Sequence, residues 1–503
     1  MLKSVLVANR GEIALRVVRA AQDLGVRAIA VFSEADRGAP HVVAADEAYH
    51  IGPAPAAESY LRIDRLVDAA HRSGAEAIHP GYGFLAERAE FAEAVAEAGL
   101  VFVGPAAETI RAMGDKTEAR RTMIEAGVPI VPGNADPIAS PAEAGRIASE
   151  IGAPIVLKAA AGGGGKGMRV VGDLGEVARA YGACAREAEA AFGDGSVYIE
   201  RYLPRPRHLE VQLCGDSHGR VVHLHERECS IQRRHQKLVE EAPSPLLGPE
   251  DRARICEAAV RAAEAVGYVG AGTVEFLWQD DSFYFLEMNT RIQVEHPVTE
   301  MVTGVDLVEW QLRIASGEPL PLAQDEIPLV GHAIECRITS ESPFDGFLPS
   351  AGSVAGLEVP GGPGVRWDGG VGVGSQVGLH YDPLLGKLIV RATDRPGAIR
   401  RMARALDEFL IAGVATSAPL LRRIVHEPDY LAGHLSTAYL EDHPELLSEA
   451  PSPGEREALV VAAALLEHRR LGVRAAPRIV DGGRPLPRWA ALPRSRQPTG
   501  SGW

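Results

Sequence analysis

The sequence predicts a mixed fold, α/β in its first part and α+β beyond, and three observations carry that expectation. Short apolar strands alternate with amphipathic helices over residues 1–113, the pattern of a parallel sheet. Residues 114–330 join helices and strands around a glycine run, then turn strand-rich with long polar insertions. From residue 331 the segment "GHAIECRI" opens a β-rich, glycine-rich region to about 445, with helices near 397–425. Residues 446–503 differ again: the helical stretch "GEREALVVAAALLEHRR" precedes a proline- and arginine-rich tail that reads as a linker.

In the first region "SVLVA" is a strand, followed by a helix with Ile13, Val17, Ala20 and Leu24 on one face and then by "RAIAVFS". This opening is a strand and an amphipathic helix rather than a cleavable signal. "HPGYGFLAE" (79–87) follows the strand-like "AEAIHP" at a place where parallel sheets hold ligands, although a plain turn reads equally well.

Composition narrows the function. With 503 residues the chain is long enough for about three domains. A net charge of −15 argues against nucleic acid as a partner, and no apolar run approaches a membrane span. The five cysteines show no CxxC spacing, so the reading is reduced thiols and a cytoplasmic location. Only six of the 52 basic residues are lysine: Lys3, Lys116, Lys158, Lys166, Lys237 and Lys387. A chain that uses arginine for its generic cations keeps lysine where a compact, mobile ammonium is needed.

Two of those lysines bracket the run "KAAAGGGGKGMRVV" (158–171). Gly162, Gly164 and Gly167 formally satisfy G-x-G-x-x-G, but a strand follows where the dinucleotide fingerprint needs a helix. The phosphate-loop pattern fails as well, because Ala160 and Gly167 occupy its glycine and hydroxyl places. What remains is a hairpin whose bare N–H groups close over phosphates, with Lys158 reaching the same anions.

"TVEFLWQDDSFYFLEMN" (273–289) reads as a second hairpin. A three-residue loop at Asp280, Asp281 and Ser282 sets Glu275 opposite Glu287, and like charges so placed are tolerable with a cation between them. Asn289 shares that face, giving a hard-oxygen set suited to Mg²⁺ or Mn²⁺. The odd positions Glu287, Asn289, Arg291, Gln293 and Glu295 continue a polar stripe if the segment stays extended; Arg291 then positions an anion and Glu295 acts as a base. "CSIQRRHQKLVEEAP" adds Arg233, Arg234, His235 and Lys237, a cationic cluster suited to a second anion.

Assembled, these motifs resemble biotin carboxylase, the ATP-grasp component of biotin-dependent carboxylases. "ANRGEIALR", "HPGYGFLAE", "MGDK", "KAAAGGGGKGMR", "RRHQKLVEEAP" and "EMNTRIQVEHPVTE" carry the likeness, which spans residues 1 to about 445. The resemblance implies a Rossmann-like N-terminal domain (1–113), an ATP-grasp domain (114–330) and a β-rich C-terminal domain (331–445). It implies that bicarbonate attacks the γ-phosphate of ATP to give carboxyphosphate, whose CO₂ is captured by biotin. By position, Lys116, Lys158, Gly164, Gly165, Glu200, Leu203, His208 and His235 match ATP-binding residues, and Glu275, Glu287 and Asn289 match metal ligands. Lys237, Arg291, Gln293 and Val294 match the bicarbonate pocket, Glu295 the base, and Arg337 the cation that steadies the biotin enolate. Arg201 stands where lysine is common, at a position that reads backbone.

The implied cofactors and substrates are ATP, Mg²⁺ or Mn²⁺, bicarbonate and carrier-bound biotin. The implied partners are a biotin carboxyl carrier protein or domain and an acyl-CoA carboxyltransferase of the acetyl- or propionyl-CoA type, within an oligomer. None of the six lysines lies between methionines, so biotin is expected on a carrier past Trp503 or on another polypeptide. A different ATP-grasp ligase, carbamoyl-phosphate-forming or of the purine pathway, is an alternative that "RIQVEHPVTE" and Arg337 disfavour. An inactive scaffold is another, disfavoured by the intact Glu295, Lys237 and metal carboxylates.

Overall fold

A computed structural model describes residues 1–134, 136–159, 167–448, 457 and 460–465. The chain divides into residues 1–447 and 448–503; in the second unit residues 460–465 are helical. Everything that follows lies in the first unit.

β1 (Ser4–Val7), β2 (Arg27–Ser33), β3 (Glu47–Gly52), β4 (Ala77–His79) and β5 (Val101–Phe102) form a parallel sheet in the order β3-β2-β1-β4-β5. The apolar runs that predicted it are buried, and α1 (Gly11–Asp23) turns Ile13, Val17 and Ala20 into the core as its periodicity requires. Strand order reverses at β1, so the loops leaving β1 and β4 meet at the carboxyl edge of the sheet. Asn9 pins them by donating from Nδ2 to the carbonyls of Pro80 and Tyr82, both at 2.7 Å. Gly81 lies between those carbonyls with φ +63°, and a Cβ there would come within 2.9 Å of the Asn9 amide. "HPGYGFLAE" is therefore a fixed loop, not a loose turn.

The strands flanking the glycine run are present. β6 (Ile155–Ala159) pairs antiparallel with β7 (Met168–Val171) and with β8 (Val197–Arg201). Residues 160–166, including Gly162, Gly164, Gly165 and Lys166, lie outside the described residues. At their base the Ala159 N–H donates to the Gly167 carbonyl at 2.9 Å, which closes the hairpin.

The largest element is an eight-stranded antiparallel sheet. Its first six strands run in the order β13 (Ser282–Asn289), β12 (Gly270–Gln279), β9 (Arg207–Gly215), β10 (Val221–Arg233), β11 (Gln236–Ala242) and β14 (His332–Thr339). The strands Leu384–Ala392 and Val365–Gly369 complete it. The region opening at 331 thus shares its sheet with the region before it, because β14 pairs with β11. The helices Arg395–Glu408 and Ala418–Ile424 pack on its far end, burying Met402, Ala405, Leu420 and Leu421 against Ile338 and Leu388.

Two expectations change in detail. The β12–β13 turn has two residues, Asp280 and Asp281 at φ +52° and +55°, with Gln279 opposite Ser282. Positive φ at both positions matches the twist of a tight hairpin, and aspartate tolerates it. An irregularity between the Glu275 and Phe276 pairings then inserts one residue, so Glu275 still faces Glu287. The polar stripe does not stay extended: β13 ends at Asn289, and residues 290–295 turn into the helix His296–Thr303.

Candidate active site

One row across the sheet holds the charge. In register, Glu287 on β13 faces Glu275 on β12, Glu275 faces Glu210 on β9, and Glu210 faces Arg227 on β10. Three carboxylates on adjacent strands repel one another unless cations enter the row. Arg227, wholly buried, donates to Glu210 at 2.5 Å, Gln212 at 2.7 Å, Thr299 at 3.0 Å, Thr273 at 3.2 Å and Gln293 at 2.7 Å. Lys237 reaches in from β11 and donates to Glu210 at 2.5 Å, Glu275 at 2.9 Å and Glu295 at 2.6 Å. His208 Nε2 lies 3.1 Å from Glu275 Oε2.

The turn after β13 folds back over this row. Gln293 bridges it, donating to Glu275 at 2.7 Å while accepting from Arg227. Asn289 donates to Glu275 at 3.0 Å, and its Oδ1 accepts from Arg291 at 3.0 Å. Arg291 also donates to Glu87, in the loop after β4, at 2.9 Å. Glu295 caps the turn between Lys237 and Arg337; Arg337 donates to it at 2.9 Å and to Glu240 at 2.5 Å. Four of the stripe residues thus converge on one site because the chain bends, not because it stays extended.

The charge states follow from this packing. Burial and Glu210 push Glu295 up, but Lys237, Arg337 and Arg227 outweigh them and hold it below the usual carboxylate range. Burial opposes the charge on Lys237, yet Glu210, Glu275 and Glu295 raise it well above an ordinary lysine. His208 is pushed up to about 9, with Glu275 overcoming the cost of burial. Burial raises Glu240 to about 7, with Arg337 opposing and Glu295 adding to the rise. Glu287 is raised, first by desolvation and then by the charge of Glu275.

That last shift bears on the metal. Glu275, Glu287 and Asn289 offer hard oxygen donors side by side; Lys237 and His208 balance Glu275, whereas Glu287 is left raised by burial and by the charge of Glu275. This donor set fits a divalent cation such as Mg²⁺.

A second cluster adjoins the first. Glu200 on β8 accepts from Lys158 at 2.5 Å and from the buried Arg120. Lys116 opens the helix Lys116–Glu125, whose first turn Asp115 caps by accepting from the N–H groups of Thr117 and Glu118. Burial lowers Lys116 despite the attraction of Glu287 and Glu200. It therefore feels Glu287 and the Lys158–Glu200 pair together.

The remaining expectations divide. Leu203 is half-buried in the turn after β8. His235 is exposed at the β10–β11 turn, where Arg234 and His235 take φ +47° and +67°. The expected cationic cluster splits accordingly: Lys237 enters the row, whereas Arg233 stacks on Phe347, 4.1 Å from the ring centre. Val294 contributes its carbonyl, which accepts from Lys387 at 2.8 Å. Glu210, Arg227, Glu240 and Glu87 were not singled out from sequence. The signal for Glu210 was present, since His208, Glu210 and Gln212 alternate through an otherwise apolar strand.

Comparisons with known proteins agree with the geometry. Residues 1–110 match the biotin carboxylase N-terminal domain, 115–323 the carbamoyl-phosphate synthase L chain ATP binding domain, and 335–442 the biotin carboxylase C-terminal domain. The chain is 52% identical over 443 residues to a pyruvate carboxylase subunit of Methanothermobacter thermautotrophicus, covering 88% of this chain and 90% of that one. It is 52% identical over 439 residues to biotin carboxylase of Nostoc, covering 87% and 98%. With the alpha subunit of mitochondrial methylcrotonoyl-CoA carboxylase from mouse the identity is 48%, over 92% of this chain and 65% of that longer one. Among solved structures, the biotin carboxylase domain dimer of Hydrogenobacter thermophilus 2-oxoglutarate carboxylase, in complex with MgADP, ADP and bicarbonate, superposes with a TM-score of 0.85. It is 49% identical and covers 90% of this chain and 100% of that one. The carbamoyl-phosphate synthase likeness is confined to the middle segment, and biotin carboxylase domains flank it on both sides. The chain belongs to the biotin carboxylase family of ATP-dependent ligases.

Proposed function

We propose that the Glu287–Glu275–Glu210–Arg227 row and the turn above it form the centre at which ATP, bicarbonate and carrier-borne biotin react. The observation that carries this reading is the meeting of Lys237 and Arg337 on Glu295, within reach of the metal pair. Lys116, Lys158, Glu200, Leu203, His208 and His235, with the run containing Gly164 and Gly165, hold the nucleotide. Glu275, Glu287 and Asn289 hold Mg²⁺ or Mn²⁺, which when bound neutralises charge on the nucleotide phosphates.

Lys237, Arg291, Gln293 and Val294 form the bicarbonate pocket. Glu295 takes the bicarbonate proton as an oxygen of that anion attacks the γ-phosphorus; the bond to the β-phosphate oxygen breaks, leaving carboxyphosphate and ADP. Carboxyphosphate then splits into CO₂ and phosphate. The released phosphate takes the ureido proton of biotin, and the enolate that attacks CO₂ is steadied by Arg337. The cations that hold Glu295 low at rest are the ones that turn to incoming anions. Binding therefore removes support from Glu295 and raises its basicity when a base is needed.

The partners follow from the chemistry. Biotin is supplied on a carrier other than these 503 residues, and a carboxyltransferase passes the carboxyl group on to its acceptor, an acyl-CoA of the acetyl or propionyl type. An oligomer and a cytoplasmic location complete the reading; among the described residues no helix is long and apolar enough to cross a membrane. ATP hydrolysis by the purified chain tests the proposal. Turnover should need bicarbonate and Mg²⁺ and rise with biotin, and equal hydrolysis in bicarbonate-free buffer would overturn it.

A further inference from the structure

Lys387 is one of the six lysines, and the resemblance gives it no role. Its side chain is completely buried, in the middle of the strand Leu384–Ala392. Burying an ammonium costs several kcal/mol unless partners are fixed around it. Its Nζ donates to the Val294 carbonyl at 2.8 Å and lies 3.1 Å from Glu12 Oε2. Glu12 belongs to α1, and its other oxygen accepts from the hydroxyl of Tyr82 in the loop after β4. Asp368 faces Lys387 from the neighbouring strand.

The sheet register gives this arrangement its consequence. Lys387 pairs directly with Arg337 on β14, so the two cations stand side by side on one face. Arg337 holds the Glu295 carboxylate; Lys387 holds the carbonyl of the residue before it. The turn between them makes no ladder bonds after Asn289, so its attitude depends on such side-chain ties. A four-carbon stem with a compact head reaches a carbonyl inside a packed core where a planar guanidinium does not.

We propose that Lys387 is a positioning residue of the reaction centre: by fixing the Val294 carbonyl to α1 and the Leu384–Ala392 strand, it sets the placement of the Glu295 carboxylate between Lys237 and Arg337. The inference rests on the proposed role of Glu295 and adds a residue that touches no substrate.

Three variants test it: Lys387→Met, Glu12→Gln, and the two combined. Lys387→Met leaves Glu12 buried without its cation and should lower both melting temperature and turnover. The double variant removes that stranded charge and should regain most of the melting temperature. Its kcat/KM for bicarbonate should nevertheless stay about 10- to 100-fold down, the scale on which small misplacements act, with the KM for ATP nearly unchanged. Glu12→Gln alone keeps the tie to Val294 and should stay within about threefold of the parent. A double variant with parental kcat/KM for bicarbonate would reduce Lys387 to a structural role. If both Lys387→Met variants fail to fold, a fourth, Lys387→Arg, decides: it keeps the charge beside Glu12 but not the compact head that reaches Val294, so kcat/KM for bicarbonate should fall about tenfold, and a parental value would overturn the role. A parent enzyme without bicarbonate-dependent turnover would instead sink the underlying reading, so the two failures are distinguishable.

Discussion

Arg337 and Glu295, 42 residues apart in the chain, are joined at 2.9 Å, so the cation proposed to steady the enolate and the proposed base are partners before any substrate arrives. Each then holds the other ready. Arg337 keeps Glu295 ionised, and Glu295, with Glu240, keeps Arg337 aimed at the centre of the site.

Glu295→Gln tests the base. The amide has nearly the same shape but cannot take a proton, so turnover should fall by about 10²–10⁴-fold. The KM for ATP should change little, because the proposed nucleotide contacts lie on other residues. Steady-state kinetics decide it, and turnover within tenfold of the parent would remove Glu295 from that role.

Glu275→Gln and Glu287→Gln test the metal pair. Each should raise the Mg²⁺ concentration needed for half-maximal activity, and the double variant should lose less than the sum of the two, since groups sharing one ion act as a unit. Metal titrations of ATP turnover give the comparison; strictly additive losses would separate the two carboxylates.

Glu240 makes stability depend on pH. Burial lifts it from the ordinary carboxylate range to about 7, so between those limits the folded protein keeps a proton that the unfolded chain releases. Its stabilising share is complete at acid pH and is lost as pH climbs through about 7. Relative to Glu240→Gln, the parent should therefore lose melting temperature between about pH 5 and 8. Parallel curves for the two proteins would refute the shift.

Arg227→Met tests the buried hub. It strips five donated hydrogen bonds and removes one of three cations beside Glu210, leaving Lys237 and His208. A loss of about 3–5 kcal/mol is expected, the scale for breaking a buried pair. Urea unfolding should give a lower midpoint at unchanged slope; an unaltered midpoint would mean that the network is compensated elsewhere.

What the sequence disclosed depended on how local the cause was. The parallel N-terminal sheet, the strands around the glycine run and the facing of Glu275 and Glu287 were legible, because each follows from spacing within a few dozen residues. Even so, Glu275 meets Glu287 through a two-residue turn and an inserted residue, not through the three-residue loop the spacing suggested. The roles of Glu210, Arg227 and Glu240 were hidden, since each matters only once β9, β10, β11 and β14 are placed in sheet order. Pairing of β11 with β14 joins segments some 90 residues apart, and no periodicity announces it. The stripe from Glu287 to Glu295 comes together by a turn and not along an extended strand, because alternation alone cannot tell a strand from a turn that folds back.

Transfer of isotope-labelled bicarbonate into biotin measures the central claim most directly. Purified chain, ATP, Mg²⁺ and biotin, free or on a carrier, should yield acid-labile labelled carboxybiotin with one ATP cleaved per label. The product should vanish without ATP and in Glu295→Gln. ATP cleavage that proceeds at the same rate without bicarbonate, and with no label reaching biotin, would contradict the account.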